Sequence, residues 1–252
     1  MDPRPTKRPF VPEWPHPLPR SGRGFTIGWM TVNGQGRGYH HGDLKVALVD
    51  AVEQVVRQRG VGHVSLRAVA RQVGVTHAAS AHHFENKAGL LTAFASQGYV
   101  QLSGAVMASI DEAQPVDGPS VLEAVGRGYV RFALANPGRF EVMFRLDLLN
   151  ADDPDLAAAS EGAYSLLVST IARCQAEGFL GTNDPEVVAV SAWSTVHGLA
   201  ALWISGRLSE RIREKDPNRL ADRVSRLYVD SVLRAASPRA PGPGRRPATG
   251  PC

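Results

Sequence analysis

The sequence predicts an all-α protein of about nine helices. A small N-terminal helix-turn-helix domain of three helices is followed by a larger helical domain. Three observations lead there. Apolar residues between 39 and 236 recur at spacings of three and four, and no segment alternates as a strand does. Of the eighteen prolines, seven lie in residues 1–38 and five in 237–252. The other six, Pro115, Pro119, Pro137, Pro154, Pro185 and Pro217, each stand where a helix can begin. Proline fits the first helical turn and breaks a helix interior. Asp184-Pro185-Glu186 and Asp216-Pro217 each join an N-cap to a proline at the first helical position.

Between these marks the expected helices run over about 43–59, 66–73, 77–83, 86–112, 119–135, 138–148, 154–177, 185–206 and 217–235. The second puts Leu66, Val69, Ala70 and Val73 on one face. Gly74 ends it, Val75 can plug the corner, and Thr76 caps the next helix. That third helix is short and rich in Ala, Ser and His, unlike a core helix. Two short helices around a glycine turn form the helix-turn-helix arrangement, whose second helix enters the DNA major groove.

The residues after the turn sharpen the reading. His83-Phe84-Glu85-Asn86-Lys87 runs into Ala88-Gly89-Leu90-Leu91, and Tyr39-His40-His41-Gly42-Asp43-Leu44 opens the first helix. Residues 39–91 resemble the TetR family of bacterial transcription regulators, whose recognition helix runs into a His-Phe-x-x-Lys-x-x-Leu-Leu segment. One position departs: the family usually has Tyr two residues before the His of His-Phe, and here it is Ala81. The phosphate contact from that position is therefore not expected.

Charge and composition agree with a division into parts. Residues 1–38 hold six Arg/Lys and two acids, and 237–252 hold three Arg and none. Residues 39–90 hold six Arg/Lys and four acids, and also six of the eight histidines. Residues 91–236 hold thirteen Arg/Lys against eighteen acids. This suits a basic DNA-binding module at 39–90 and an acidic effector-binding and dimerisation domain at 91–236. The flanks, 1–38 and 237–252, are expected to be a disordered basic Pro/Gly-rich arm and a disordered tail. Residues 1–29 precede an internal Met30 and are expected to be either a dispensable arm or the product of a misassigned start, with the chain beginning at Met30. No uninterrupted run of 18 or more apolar residues is present, so no membrane span is expected. Cys174 and Cys252 are the only cysteines, and a disulfide between them is not expected, which fits a reducing cytoplasm.

The larger domain carries its own pattern. Tyr129-Val130-Arg131-Phe132-Ala133 leads into Asn136-Pro137-Gly138-Arg139-Phe140, then Met143-Phe144. Ala192-Trp193-Ser194-Thr195-Val196-His197-Gly198-Leu199 follows later. These pieces resemble a regulatory-domain subgroup of the same family, marked by a Trp-His-Gly helix. Trp193 and His197 are four apart and share a helix face, which is ordinarily plain core packing. The bulky groups around them favour a cavity instead. Its expected ligand contacts are Phe132, Phe140, Met143, Phe144, Tyr164, Trp193, His197 and Trp203.

Other chemistry finds little support. Gly34, Gly36 and Gly38 lack the strand and the Gly-Lys-Ser/Thr of a phosphate loop. His40-His41 and His82-His83 are adjacent pairs that point about 100° apart on a helix, not the i, i+4 pair of a metal site. No catalytic residue, metal or cofactor is expected. The function expected is a homodimeric transcriptional repressor on a palindromic double-stranded DNA operator, released by a small, largely apolar effector. Its expected DNA contacts are Ser65, Arg67, Thr76 and Lys87 on phosphate and His77, Ala78, His82 and His83 in the groove. The competing reading is an all-helical enzyme or small-molecule-binding protein whose helix-turn-helix pattern does not bind DNA.

Overall fold

A computed structural model of the chain describes residues 41–208 and 210–236. The expected arm at 1–38, the start at Met30, the tail at 237–252 and Cys252 lie outside the described residues. Among those residues there are nine α-helices and no strand. They are α1 (His41–Arg59), α2 (Leu66–Val73), α3 (His77–His83), α4 (Lys87–Ala113), α5 (Gly118–Ala135), α6 (Pro137–Met143), α7 (Pro154–Ala176), α8 (Pro185–Ile204) and α9 (Pro217–Ala236). Short 3-10 turns at Val61–His63 and Leu146–Leu148 join α1 to α2 and follow α6.

Local chemistry sets most boundaries. Asp117, Asp153 and Asp184 cap α5, α7 and α8, each accepting a backbone N–H of the first turn at 2.9 Å. Asp216 does the same for α9 through the Asn218 amide. These acids also oppose the positive end of the helix dipole. Five of the six interior prolines stand in the first two positions of a helix. Pro115 does not: it lies in the loop between α4 and α5. The helix expected over 138–148 is also shorter than its apolar spacing implied. α6 stops at Met143, where Arg145 folds onto Asp147 through two 2.8 Å hydrogen bonds. The Asn150 amide donates to the Thr92 hydroxyl at 2.9 Å, so the chain is drawn back onto α4 before α7 starts.

α4 and α5 form the spine. α4 packs against α5, α6 and α7, and α5 against α7, α8 and α9, while α1 packs on α4 and carries α2 and α3. The α4–α5 crossing is close because Gly128 has no side chain. A Cβ there would lie 2.8 Å from the Val106 Cα and 3.0 Å from the Ala105 carbonyl oxygen. Leu90, Leu91 and Phe94 on α4 are fully buried, and one hydrophobic cluster runs from Leu44 on α1 to Val229 on α9. The DNA-binding module expected at 39–90 thus shares its core with the rest of the protein.

Arg139 of α6 is the polar counterpart of that shared core. It is buried, and its guanidinium lies 4.0 Å from the centroid of the Phe94 ring. It donates to the Phe94 carbonyl at 3.0 Å and to Gln97 at 2.9 Å, and meets Asp50 of α1 at 3.8 Å. Glu53 of α1 faces the Gly138 and Arg139 amides with a carboxylate that closes no hydrogen bond. Burial holds its pKa above the usual carboxylate range, and the Arg139 charge opposes that shift. One side chain therefore ties α6 to both α1 and α4.

α8 stands apart in one respect. Averaged over its length it is apolar enough to cross a membrane, which the count of uninterrupted apolar residues did not register. Only about a quarter of that stretch (28%) is buried. The excess is an exposed face with Val187 at 63% accessibility, Val190 and Leu202, continued on α9 by Leu227 at 62%.

The Gly128 crossing supplies a direct test. Gly128→Ala forces a methyl group against backbone that has no rotamer to yield. It is expected to cost about 1–3 kcal/mol of stability, measured as a lower urea midpoint at unchanged m-value.

Candidate functional site

The corner between α2 and α3 is built by three hydrogen-bonded devices. Ser65 caps α2, accepting the Ala68 amide at 3.1 Å, and Thr76 caps α3, accepting the Ala79 amide at 3.2 Å. Gly74 adopts the left-handed conformation (φ 79°), which lets the Val75 amide return to the Ala70 carbonyl at 2.9 Å. Ser80, fully buried, donates to the His77 carbonyl at 2.8 Å and lies 3.4 Å from the Leu66 carbonyl of α2. Phe84 is buried beneath α3.

The opposite face of α3 is open. His77, Ala78, Ala81 and His82 are exposed, at positions i, i+1, i+4 and i+5 of one helix face. His83 is half-buried, and its ring lies edge-on to His82 at 5.6 Å between centroids. Ser65, Arg67 and Thr76 are exposed beside this face. Lys87 is turned inward: its ammonium donates to the Val61 carbonyl at 3.2 Å and reaches the Gly62 carbonyl at 3.5 Å. It ties the start of α4 to the turn after α1, a structural task that spacing alone does not disclose. Ser80 was missed for a similar reason, since in sequence it is one of several small residues in a short helix.

The larger part of the molecule encloses a cavity of about 290 Å³ among α4, α5, α7, α8 and α9. Its wall is largely apolar, with Leu102, Val106, Leu122, Leu167 and Val229 among its members. Phe144, Tyr164 and Trp193 of the eight expected contacts line it. Their rings are close: Tyr164 to Trp193 is 5.9 Å and Phe144 to Trp193 is 6.3 Å between centroids.

The other five expected contacts stand outside the wall, for identifiable reasons. Phe140 and His197 form a layer behind it, with centroids 5.0 Å apart. Met143 is fully buried between α6 and α4, where the absent side chain of Gly98 leaves room for its sulfur. Phe132 is buried on the part of α5 that faces a shallow groove with Ala105 and Ala108. Trp203 is half-buried near the end of α8, beyond the cavity.

His197 acts on the wall through Tyr129. The Tyr129 hydroxyl lies 2.9 Å from His197 Nδ1 and receives the Trp193 indole N–H at 3.3 Å. Burial lowers the His197 pKa, which favours the neutral ring. The arrangement that satisfies all three groups has Tyr129 donating to Nδ1, with the imidazole proton on Nε2. Burial also pushes the Tyr129 phenol well above its ordinary range, so it stays protonated. Tyr129 and Ser225, both in the wall, were not singled out from sequence. On an amphipathic helix a wall hydroxyl and a core hydroxyl have the same spacing.

Residues 48–94 match the family profile described as "Bacterial regulatory proteins, tetR family", and residues 122–228 match "Tetracyclin repressor-like, C-terminal domain". A curated relative, an uncharacterized HTH-type transcriptional regulator, YobS of Bacillus subtilis (strain 168), is 29% identical over 94 residues. That match takes in 37% of this chain and about half (48%) of the relative's length. A solved protein of unknown function from Rhodococcus sp. RHA1 is 30% identical, with a TM-score of 0.66 over 79% of this chain and 98% of its own. A bacterial regulatory protein in the tetR family from Rhodococcus RHA1 shares the fold at 20% identity, with a TM-score of 0.59 over 76% and 96% of the two chains. So does the transcriptional regulator FadR from Bacillus subtilis, solved in complex with stearoyl-CoA. It is 16% identical, with a TM-score of 0.59 over 73% and 97%.

The His197 arrangement makes stability depend on pH. A folded-state pKa below the unfolded value means the unfolded chain binds more protons. Its contribution is full above the ordinary histidine range and is lost as pH falls through the lowered folded value. Urea denaturation from pH 8 down to 5 is expected to show that loss, and His197→Gln to flatten it.

Proposed function

This chain belongs to the TetR family of bacterial transcription regulators, and from that premise we propose that it is a homodimeric repressor that a small effector releases from a palindromic operator. The observation that carries the reading is the open face of α3, held outward by the Ser80 stitch and the two hydroxyl caps. The DNA-binding part is 39–90, and 91–236 binds the effector and forms the dimer. The Trp193…His197-Gly198 pattern supports a place in the Trp-His-Gly subgroup. The neutral histidine fixing a wall tyrosine supports that assignment. Its place of work is the cytoplasm, where the DNA is.

On DNA, His77, Ala78, His82 and His83 meet base edges and Ser65, Arg67 and Thr76 meet phosphates, while Lys87 stays on the Val61 and Gly62 carbonyls. Imidazoles offer both a donor and an acceptor, and the Ala78 methyl suits a thymine methyl. One recognition helix reads too little sequence to find a unique site, whereas two related by a two-fold axis read both halves of a palindrome.

The exposed faces of α8 and α9 supply the two-fold contact. Val187, Val190, Leu202 and Leu227 form an apolar surface that the monomer leaves uncovered, and a Cβ added at Gly198 would meet nothing. Two helices meeting their copies make a four-helix bundle. Ala189 and Ala192 are buried within the monomer and stand apart from that surface.

The cavity is the effector site. α4 runs from its wall to the recognition module, and Arg139 clamps α6 to α1 and α4 beside it. An effector that fits one arrangement of this joint better than the other shifts operator affinity by their difference, typically about 1–3 kcal/mol. The likeness to FadR is one of fold, and its ligand is not carried over.

Fluorescence anisotropy with the chain's own upstream DNA, across a series of salt concentrations, tests the reading. Arg67→Ala is expected to weaken operator and unrelated duplexes alike and to reduce the log–log salt slope by about one. His82→Ala is expected to change the preferred sequence with the slope intact. Wild-type affinity and preference in the double variant would remove α3 and its flank from the interface.

Val190→Glu with Leu202→Glu is expected to convert the dimer to a monomer in sedimentation velocity, with operator binding lost. A stable monomer at micromolar concentration in the unaltered chain would contradict the bundle.

A further inference from the structure

Resting on the reading that the cavity holds the effector, we infer that this effector is an apolar molecule carrying a protonated amine, and that anionic amphiphiles of the same shape are rejected. The argument starts from charge. Among the described residues that line the cavity, Glu161 alone carries a formal charge, and no Lys, Arg or His reaches the wall. A carboxylate or phosphate buried there has no cation to replace its lost hydration.

Hydrogen-bond polarity points the same way. Tyr99 gives its proton to the Met143 carbonyl at 3.1 Å, Ser103 to the Tyr99 carbonyl at 3.0 Å, and Ser160 to the Ala157 carbonyl at 3.0 Å. Tyr228 gives its proton to the Val188 carbonyl at 2.7 Å, and Tyr129 to His197. Five wall hydroxyls have thus spent their donors on the protein and keep only lone pairs. Two wall hydroxyls differ: Tyr164 gives its proton to no described residue, and Ser225 is 5% exposed with an unpartnered oxygen opposite Gly126, where an added Cβ would lie 2.7 Å away. A wall in which most hydroxyls can only accept favours a ligand that donates.

The mouth completes the site. Glu161 and Tyr164 are three apart on α7 and share a face, and Tyr164 is within ring contact of Trp193, which is itself close to Phe144. A carboxylate beside aromatic faces attracts an ammonium by both charge and cation–π contact. The amine sits at Glu161, and the apolar body fills the wall of Leu102, Val106 and Leu167.

Octylamine, 1-octanol and octanoate share a chain and differ only in the head group. Isothermal titration of the full chain at neutral pH and low salt is expected to show the amine binding about tenfold more tightly than the alcohol, as a hydrogen bond to a charged group allows, with octanoate weakest. Glu161→Gln lies at the exposed mouth and leaves the core untouched. It is expected to bring the amine to the affinity of the alcohol. Octanoate binding as tightly as the amine, or an amine preference that survives Glu161→Gln, overturns the inference while the cavity remains the effector site. Failure of all three to bind overturns the cavity reading itself.

Discussion

The first two turns of α4 have to satisfy two cores at once, and much of the molecule is arranged around that requirement. Leu90, Leu91 and Phe94 are fully buried within a cluster that extends both to α1 and to the helices around the cavity. Lys87, one turn earlier, is bonded back to the carbonyls of Val61 and Gly62. Arg139 closes the joint from the other side, over the Phe94 ring and against Asp50. A buried guanidinium is costly unless its hydrogen bonds are met, and here the Phe94 carbonyl and Gln97 meet them. α4 and α6 thus both meet α1 directly through packed side chains.

The cavity and the recognition face are made by opposite uses of the same residue types. Near α3, hydroxyls are spent on caps and on the Ser80 stitch, which frees the outer face for imidazoles and methyl groups. Around the cavity, the hydroxyl protons of Tyr99, Ser103, Ser160 and Tyr228 are spent on the protein's own carbonyls. His197 belongs to this second pattern. Its role is to hold Tyr129, and Trp193 reaches the same oxygen from the wall. The Trp-His pair is thus a wall residue and its support.

α8 reconciles two facts that look discordant in isolation. It is apolar along most of its length, yet little of it is buried. Val188, Ala189, Ala192 and Ala200 pack inward, and Val187, Val190 and Leu202 point out. A helix apolar all round needs partners on both sides. Within the chain α5, α7 and α9 supply one side, and the other is left exposed.

Fold class and family were legible from sequence because they rest on local signals. Helical spacing, Asp-Pro starts, the Gly74 turn and the run from His83 to Leu91 each act within a few residues of their position. The open face of α3 follows from the same spacing, as does the presence of Phe144, Tyr164 and Trp193 near one another. What spacing cannot supply is the azimuth of a helix once its neighbours have packed. It could not turn Phe132 and Met143 away from the cavity, set Trp203 beyond it, or bring Tyr129, Tyr99 and Ser225 into its wall. Nor could it tell that Lys87 bends inward or that Arg139 is buried at a joint of three helices. A side chain's burial and its hydrogen-bond partners are decided by contacts between residues far apart in the chain, such as Arg139 with Phe94 and Tyr129 with His197. Only the tertiary structure brings those together.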